Sequence, residues 1–402
     1  MGYAVIENSI LNGSVTVPPS KSAAHRALIC SFLAGGGCVA PIIDSKDMLA
    51  TQQVINALKN GESTCDCIES GSTLRFMIPV AAALGKTVTF IGSGKLPQRP
   101  IGDYLRLLPE HGVKCESEGG LPLTISGQLK SGRYEIAGDI SSQYITGLLL
   151  ALPVLEGDSE IVLTTPLQSK PYVDMTLSVM NAYGVEVKET ENGYFIKGSQ
   201  SYKIMDFTVE GDWSQAAFFL VAGALGGDVT VCGADVNSTQ GDKKIVDILR
   251  RFGADITVFE NCVRCKAGDL CGIDIDAADI PDMVPSLAVV AAFASGKTVI
   301  TGAQRLRFKE SDRIESVVTN LKKMGVNVTE TPDGMEIVGG AVNGAEIDGY
   351  NDHRIVMAFA VASAYANGKT VISDCESINK SYPTFFDDYN LSGGKADVIC
   401  DR

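Results

Sequence analysis

The run Arg305-Leu306-Arg307-Phe308-Lys309-Glu310-Ser311-Asp312-Arg313 carries the densest chemistry in the chain. It reads as the opening of an amphipathic helix, because Ile314, Val317, Val318 and Leu321 follow at helical spacing. A helix N-terminus already bears partial positive charge, so Lys309 and Arg313 in a first turn are unfavourable unless an anion sits before them. Glu310, three residues from Arg313, could hold or exchange a proton beside that anion. A solvated, salt-bridged helix start would show the same residues, so the run acquires meaning only if the arrangement recurs.

It does recur. Short polar clusters stand at Ser20-Lys21-Ser22, Ser70-Gly71-Ser72-Thr73, Ser141-Ser142-Gln143, Gly211-Asp212-Trp213-Ser214-Gln215, Ile280-Pro281-Asp282 and Asn351-Asp352-His353-Arg354. Cations accompany them: Lys21, Arg26, Arg75, Arg99, Lys170, Lys309, Arg313, Arg354 and Lys380. Planar Arg forks match phosphate and carboxylate bidentately, so several of them imply a ligand with more than one such group. Taken singly, Ser20, Ser70, Ser141 and Ser214 are ordinary N-caps.

The elements behind these clusters repeat as well. Each cluster leads into an Ala- and Leu-rich helix, as in Leu74/Met77/Ile78/Ala81 and Ile355/Ala358/Phe359/Ala362. Glycine stops follow at Gly35, Gly85, Gly157, Gly226, Gly296 and Gly368, and a β-branched strand such as Lys297-Thr298-Val299-Ile300 resumes. The full-length units recur every ~70 residues, a period that suits βαβαββ units rather than an ordinary solenoid. The chain is therefore expected to be α/β (α+β), with six repeated units in two domains of three. Residues 1–18 and 212–402 are expected to form a C-terminal lobe completed by the N-terminal strand, and 19–211 the N-terminal lobe, with the active site in the cleft between them.

Composition bounds the rest. A chain of 402 residues has ample core for two domains. Its apolar runs around Leu148–Leu155 and Leu287–Ala294 are far short of the ~20 residues that span a bilayer. A net charge of −14 argues against general nucleic-acid or anionic-membrane binding, while leaving room for a focused positive cleft. Eleven cysteines without a secretory signal read as reduced thiols and a cytoplasmic location. Cys262-x-x-Cys265 with Cys271 makes half a zinc site, and with no second pair and three histidines no metal is expected.

The chain resembles the 5-enolpyruvylshikimate-3-phosphate synthase (3-phosphoshikimate 1-carboxyvinyltransferase) family through eight motifs in one order. These are Pro19-Ser20-Lys21-Ser22 with Arg26, Gln98-Arg99-Pro100, Ser141-Ser142-Gln143, Ser169-Lys170-Pro171-Tyr172-Val173-Asp174, Pro281-Asp282, Lys309 to Arg313, Asn351 to Arg354, and Lys380-Ser381-Tyr382-Pro383. The resemblance implies transfer of the enolpyruvyl group of phosphoenolpyruvate to the 5-hydroxyl of shikimate 3-phosphate, with release of phosphate. It implies no cofactor, no metal and a monomer. Lys21 would touch both substrates. Ser22, Arg26, Ser141, Ser142, Gln143, Ser169, Tyr172, Asp282 and Lys309 would meet shikimate 3-phosphate. Gly71, Arg99, Gln143, Arg313, Arg354 and Lys380 would meet phosphoenolpyruvate. Asp282 would take the hydroxyl proton, and Glu310, with a pKa raised by desolvation, would protonate the methylene.

Three positions depart from the family's usual pattern: Glu69-Ser70-Gly71-Ser72 replaces Asn-x-Gly-Thr, Arg305 stands where Asn is frequent, and Trp213 follows Gly211-Asp212 where a small residue is more usual. Retention of Gly71 implies sensitivity to glyphosate. Two alternatives are open. The related UDP-N-acetylglucosamine 1-carboxyvinyltransferase family carries a reactive Cys where this chain has Gly94. A catalytically silent phosphate-binding protein would have little use for both Asp282 and Glu310.

Overall fold

A computed structural model describes residues 2–399. The chain divides into two compact units, residues 1–18 with 210–402 and residues 19–209, so the division falls two residues earlier than expected.

The larger unit contains three four-stranded sheets. The N-terminal strand Tyr3–Glu7 lies between Thr370–Ser373 and Lys395–Ile399, antiparallel to both. Strand Asn12–Thr16 runs parallel to Asp228–Cys232 and completes a second sheet. The third sheet is built wholly from Asp274–Asp276, Lys297–Thr301, Asn327–Thr331 and Gly334–Val338. Helices Trp213–Leu225, Val284–Phe293 and His353–Tyr365 pack on one another and are almost entirely buried. Their sequences are apolar all round, which is what a helix enclosed by sheets and other helices requires.

The smaller unit holds two four-stranded sheets and a reduced third, in which Phe207–Thr208 pairs in parallel with Val39–Ala40. Its inner helices are Lys21–Ala34, Gly71–Ala83, Ser142–Ala151 and Lys170–Ala182. Five units are thus complete and the sixth is shortened to two helices and two short strands. Gly35 ends its helix in the left-handed conformation, φ 84°. Gly157 caps nothing, because the helix before it already ends at Ala151 and passes through a 3₁₀ turn containing Pro153.

Two sequence expectations are corrected here. Arg305–Arg313 is not a single helix start: Gln304–Phe308 is 3₁₀, Lys309 is extended, and the helix begins at Arg313. The reason is Asp312, whose carboxylate accepts from the Glu315 N–H at 3.0 Å and sets the N-cap there. The cysteines are not all free thiols, since Cys232 and Cys262 form a disulfide, S–S 2.21 Å. They face each other in the antiparallel ladder of Asp228–Cys232 with Cys262–Lys266, a register invisible in their spacing of 30 residues.

Candidate active site

In the larger unit, four helix ends deliver charged side chains to one cluster. Arg313, the first residue of its helix and 1% exposed, donates from Nη1 to Asp282 Oδ1 at 2.9 Å and from Nη2 to Glu310 Oε2 at 2.8 Å. Its Nε donates to Asp352 Oδ2 at 2.8 Å, and Nη2 reaches Asp352 Oδ1 at 3.2 Å. Arg354 donates from Nη2 to Asp282 Oδ2 at 2.9 Å and to Ser214 Oγ at 3.1 Å. Lys309 Nζ stands 3.7 Å from Asp282 Oδ1. Lys380, also buried, donates to the Asn351 carbonyl at 2.7 Å.

Asp282 is the hub of this cluster. Burial alone would raise its pKa, but Arg354, Lys309 and Arg313 outweigh both burial and the repulsion of Glu310, and hold the carboxyl far below its usual range. Burial would likewise weaken the Arg313 charge, yet Asp352, Glu310 and Asp282 together raise its pKa above the ordinary guanidinium value. Ion pairs of this kind are poor evidence of stability, because desolvation offsets their attraction. They do position side chains, and here they gather Arg313, Arg354 and Lys309 around Asp282.

The smaller unit assembles a second set. Lys21, first residue of its helix, pairs with Asp47 at 2.7 Å. Arg26 lies buried over the Phe76 ring at 5.1 Å and donates to the Ser22 carbonyl, the Tyr172 carbonyl and Thr176 Oγ1. Burial lowers its guanidinium pKa to about 10, still charged at neutral pH. Gln143 donates to Ser72 Oγ at 2.9 Å and accepts from Arg75 at 2.8 Å. Arg75 also donates to the Pro100 carbonyl, which fixes the chain next to Arg99.

Arg99 packs directly on Gly71. A Cβ built at Gly71 would stand 2.6 Å from Arg99 Nη1 and 2.7 Å from Cζ, so the glycine is needed for close approach rather than for turn geometry. Ser141 caps its helix and accepts from the Gln143 N–H, and Ser142 is its first residue. Ser169 sits before the Lys170 helix with φ 56°, the left-handed region. Lys170, by contrast, turns to Asp174 at 2.6 Å and Glu189 at 3.3 Å.

The departures also find places. Glu69 lies against Gly94, where any Cβ would meet Glu69 Oε2 at 2.7 Å, so a cysteine there would require the Glu69 side chain to move. Arg305 donates to the Ala278 carbonyl at 2.7 Å. Trp213 is buried and its indole donates to the Asp235 carbonyl at 2.8 Å. Asp212, not Ser214, caps the helix that Trp213 opens, its carboxylate accepting from the Ser214 and Gln215 N–H groups.

Sequence reasoning missed Asp352, Asp47 and the positioning role of Arg75. Asp352 showed only as one member of the polar cluster Asn351 to Arg354, whereas its burial at 0% exposure against Arg313 depends on contacts across 39 residues. Among the described residues, no group of three His, Cys, Asp or Glu is placed to hold a metal ion, and no helix is long and apolar enough to cross a membrane.

Comparison with known proteins agrees with this architecture. The profile of the EPSP synthase (3-phosphoshikimate 1-carboxyvinyltransferase) family matches residues 6–389. The 3-phosphoshikimate 1-carboxyvinyltransferase of Clostridium kluyveri is 42% identical over 420 aligned positions, covering 99% of each chain. That of Clostridioides difficile is 40% identical, again over 99% of each. Among solved structures, the EPSP synthase of Acinetobacter baumannii superposes with a TM-score of 0.83 at 29% identity over the full length of both chains. The enolpyruvyl transferase NikO of Streptomyces tendae shares the fold, TM-score 0.79 at 15% identity. The fold is that of the enolpyruvyl transferases. Within that class, the chain belongs to the EPSP synthase (3-phosphoshikimate 1-carboxyvinyltransferase) family.

Proposed function

We propose that the chain transfers the enolpyruvyl group of phosphoenolpyruvate to the 5-hydroxyl of shikimate 3-phosphate by addition and elimination, as a cytoplasmic monomer of the shikimate pathway. The observation that carries the residue assignment is the Asp282 hub, a carboxylate held ionised by Arg313, Arg354 and Lys309 with Glu310 beside it. Each substrate bears a phosphate and a carboxylate, so several fixed cations are required, and backbone N–H groups at helix starts add to them. Arg99, Arg313, Arg354 and Lys380, with the backbone at Gly71, are assigned to phosphoenolpyruvate. Ser22, Arg26, Ser141, Ser142, Gln143, Ser169, Tyr172 and Lys309 are assigned to shikimate 3-phosphate, and Lys21 to both.

The steps follow from where protons must go. Asp282 removes the 5-hydroxyl proton as that oxygen bonds to C2 of phosphoenolpyruvate, and Glu310 delivers a proton to C3, giving a methyl group on a tetrahedral carbon. Loss of a methyl proton and cleavage of the C2–O bond to phosphate then regenerate a vinyl ether. Before binding, Asp282 is a weak base because cations surround it. Substrate anions satisfy those cations and let its basicity rise, which ties proton removal to a filled site. Glu310 accepts a bond from Arg313, so the acid role requires that bond to be given up to the incoming anion.

Turnover in D₂O tests the scheme. Deuterium is expected in the vinyl methylene of the product, and Glu310→Gln should abolish both its appearance and turnover. Full incorporation at undiminished rate in Glu310→Gln would remove Glu310 from the mechanism.

A further inference from the structure

A second set of polar side chains lies buried in the smaller unit, behind the residues assigned to substrate. His25 Nδ1 and Thr51 Oγ1 are 2.7 Å apart, Thr51 Oγ1 and Thr73 Oγ1 are 2.7 Å apart, and the Thr73 hydroxyl donates to Ser70 Oγ at 2.7 Å. His25 and Ser70 are 1% exposed, and Thr51 and Thr73 are wholly buried. These residues come from three helices: Lys21–Ala34, Lys46–Asn60 and Gly71–Ala83 with its N-cap Ser70.

The bonds have only one consistent direction. Each hydroxyl owns a single proton. That of Thr73 goes to Ser70, so the short Thr51–Thr73 contact uses the proton of Thr51, whose other acceptor, the Asp47 carbonyl, is farther away at 3.5 Å. Thr51 Oγ1 therefore has none left for the imidazole and must accept from it, which puts the His25 proton on Nδ1. Nε2 is then a bare acceptor, and it is buried without a hydrogen-bond partner. The opposite tautomer would bury an unpaired N–H, the rarer and costlier situation. Burial, and then the Lys21 and Arg26 cations, hold His25 well below the usual imidazole range, in keeping with a neutral ring.

We propose that His25, Thr51 and Thr73 form a one-way hydrogen-bond chain that positions the Ser70-Gly71-Ser72 turn against the Lys21 end of the neighbouring helix, and so are positioning residues for phosphoenolpyruvate. The chain has a second anchor. One turn before Thr51, Asp47 takes the Lys21 ammonium at 2.7 Å, so the helix carrying Thr51 holds both Lys21 and the Gly71 turn. His25 acts as an uncharged donor and touches no substrate. This inference rests on the transferase reading only for the identity of the ligand affected.

The three histidines make the test tractable by ¹⁵N NMR of the imidazoles in the intact wild-type chain without substrate. His25, assigned by loss of its signal in His25→Gln, should be neutral between pH 6 and 8 with the proton on Nδ1. A proton on Nε2, or a charged ring, would overturn the proposal. In kinetics, Thr51→Val should raise KM for phosphoenolpyruvate roughly three- to tenfold, the effect of losing about one buried hydrogen bond. KM for shikimate 3-phosphate should change less, and Thr51→Ser should restore the wild-type value. Equal KM values for phosphoenolpyruvate in wild type and a folded Thr51→Val would refute the positioning role. Failure of the wild type to release phosphate would instead remove the transferase reading, while the tautomer measurement would still decide the chain's direction.

Discussion

Arg354 Nη2 donates to Asp282 Oδ2 at 2.9 Å while Arg313 Nη1 donates to Oδ1 of the same carboxylate at the same distance, so both oxygens of the proposed base are held by cations. Two consequences for Asp282→Asn follow from this one carboxylate. Turnover should fall by roughly 10²- to 10⁴-fold, the range for losing a general base. Steady-state kcat measures it, and a loss of less than about fivefold would exclude the role.

The same carboxylate gives a pH signature in stability. A group whose folded pKa is depressed contributes stability that is complete above its unfolded pKa, near 3.9, and is lost as pH falls toward the folded value. The stability difference between wild type and Asp282→Asn should therefore be flat from about pH 6 to 8 and shrink below about pH 4. Denaturant titrations at several pH values measure this. A difference that grows on acidification would contradict the depressed pKa.

Gly71→Ala should act through Arg99. The new methyl would stand within 3.0 Å of three guanidinium atoms, so Arg99 must move. KM for phosphoenolpyruvate should rise about tenfold or more, the scale of one charge-assisted hydrogen bond, with a smaller change for shikimate 3-phosphate. Glyphosate, proposed to occupy the phosphoenolpyruvate side, should inhibit the wild type and lose potency in the same variant. Equal inhibition of both proteins would show that Arg99 does not serve that ligand.

Asp352→Ala should be among the most destabilising single changes at the site. Asp352 is fully buried, holds Arg313 through two contacts, receives the Ser311 hydroxyl and caps the His353–Tyr365 helix. Removing it leaves the buried Arg313 Nε without its acceptor, though Asp282 and Glu310 still hold the guanidinium, and takes away a helix cap, which together cost about 2–4 kcal/mol. Chemical denaturation checks this, and a loss below about 1 kcal/mol would mean that Glu310 and Asp282 suffice to satisfy Arg313.

The repeat and the polar helix starts were legible because both follow from local chemistry: caps, apolar stripes and β-branched runs leave marks at fixed spacing. Lys309, Glu310 and Arg313 could be singled out for the same reason. Their conformation could not, because Asp312 moved the helix start to Arg313, a choice between several acceptable caps. Asp352 against Arg313 and Arg75 against Gln143 are contacts between repeats, Asp47 against Lys21 joins the two helices of one repeat, and no local pattern announces any of them. The Cys232–Cys262 pair was hidden likewise, since strand register decides it.

The most direct test of the central claim is inorganic phosphate release from phosphoenolpyruvate, measured with shikimate 3-phosphate and then with UDP-N-acetylglucosamine as acceptor. Release with shikimate 3-phosphate alone is expected. Release with the nucleotide sugar alone would assign the chain the other acceptor, and no release with either would contradict the proposed activity.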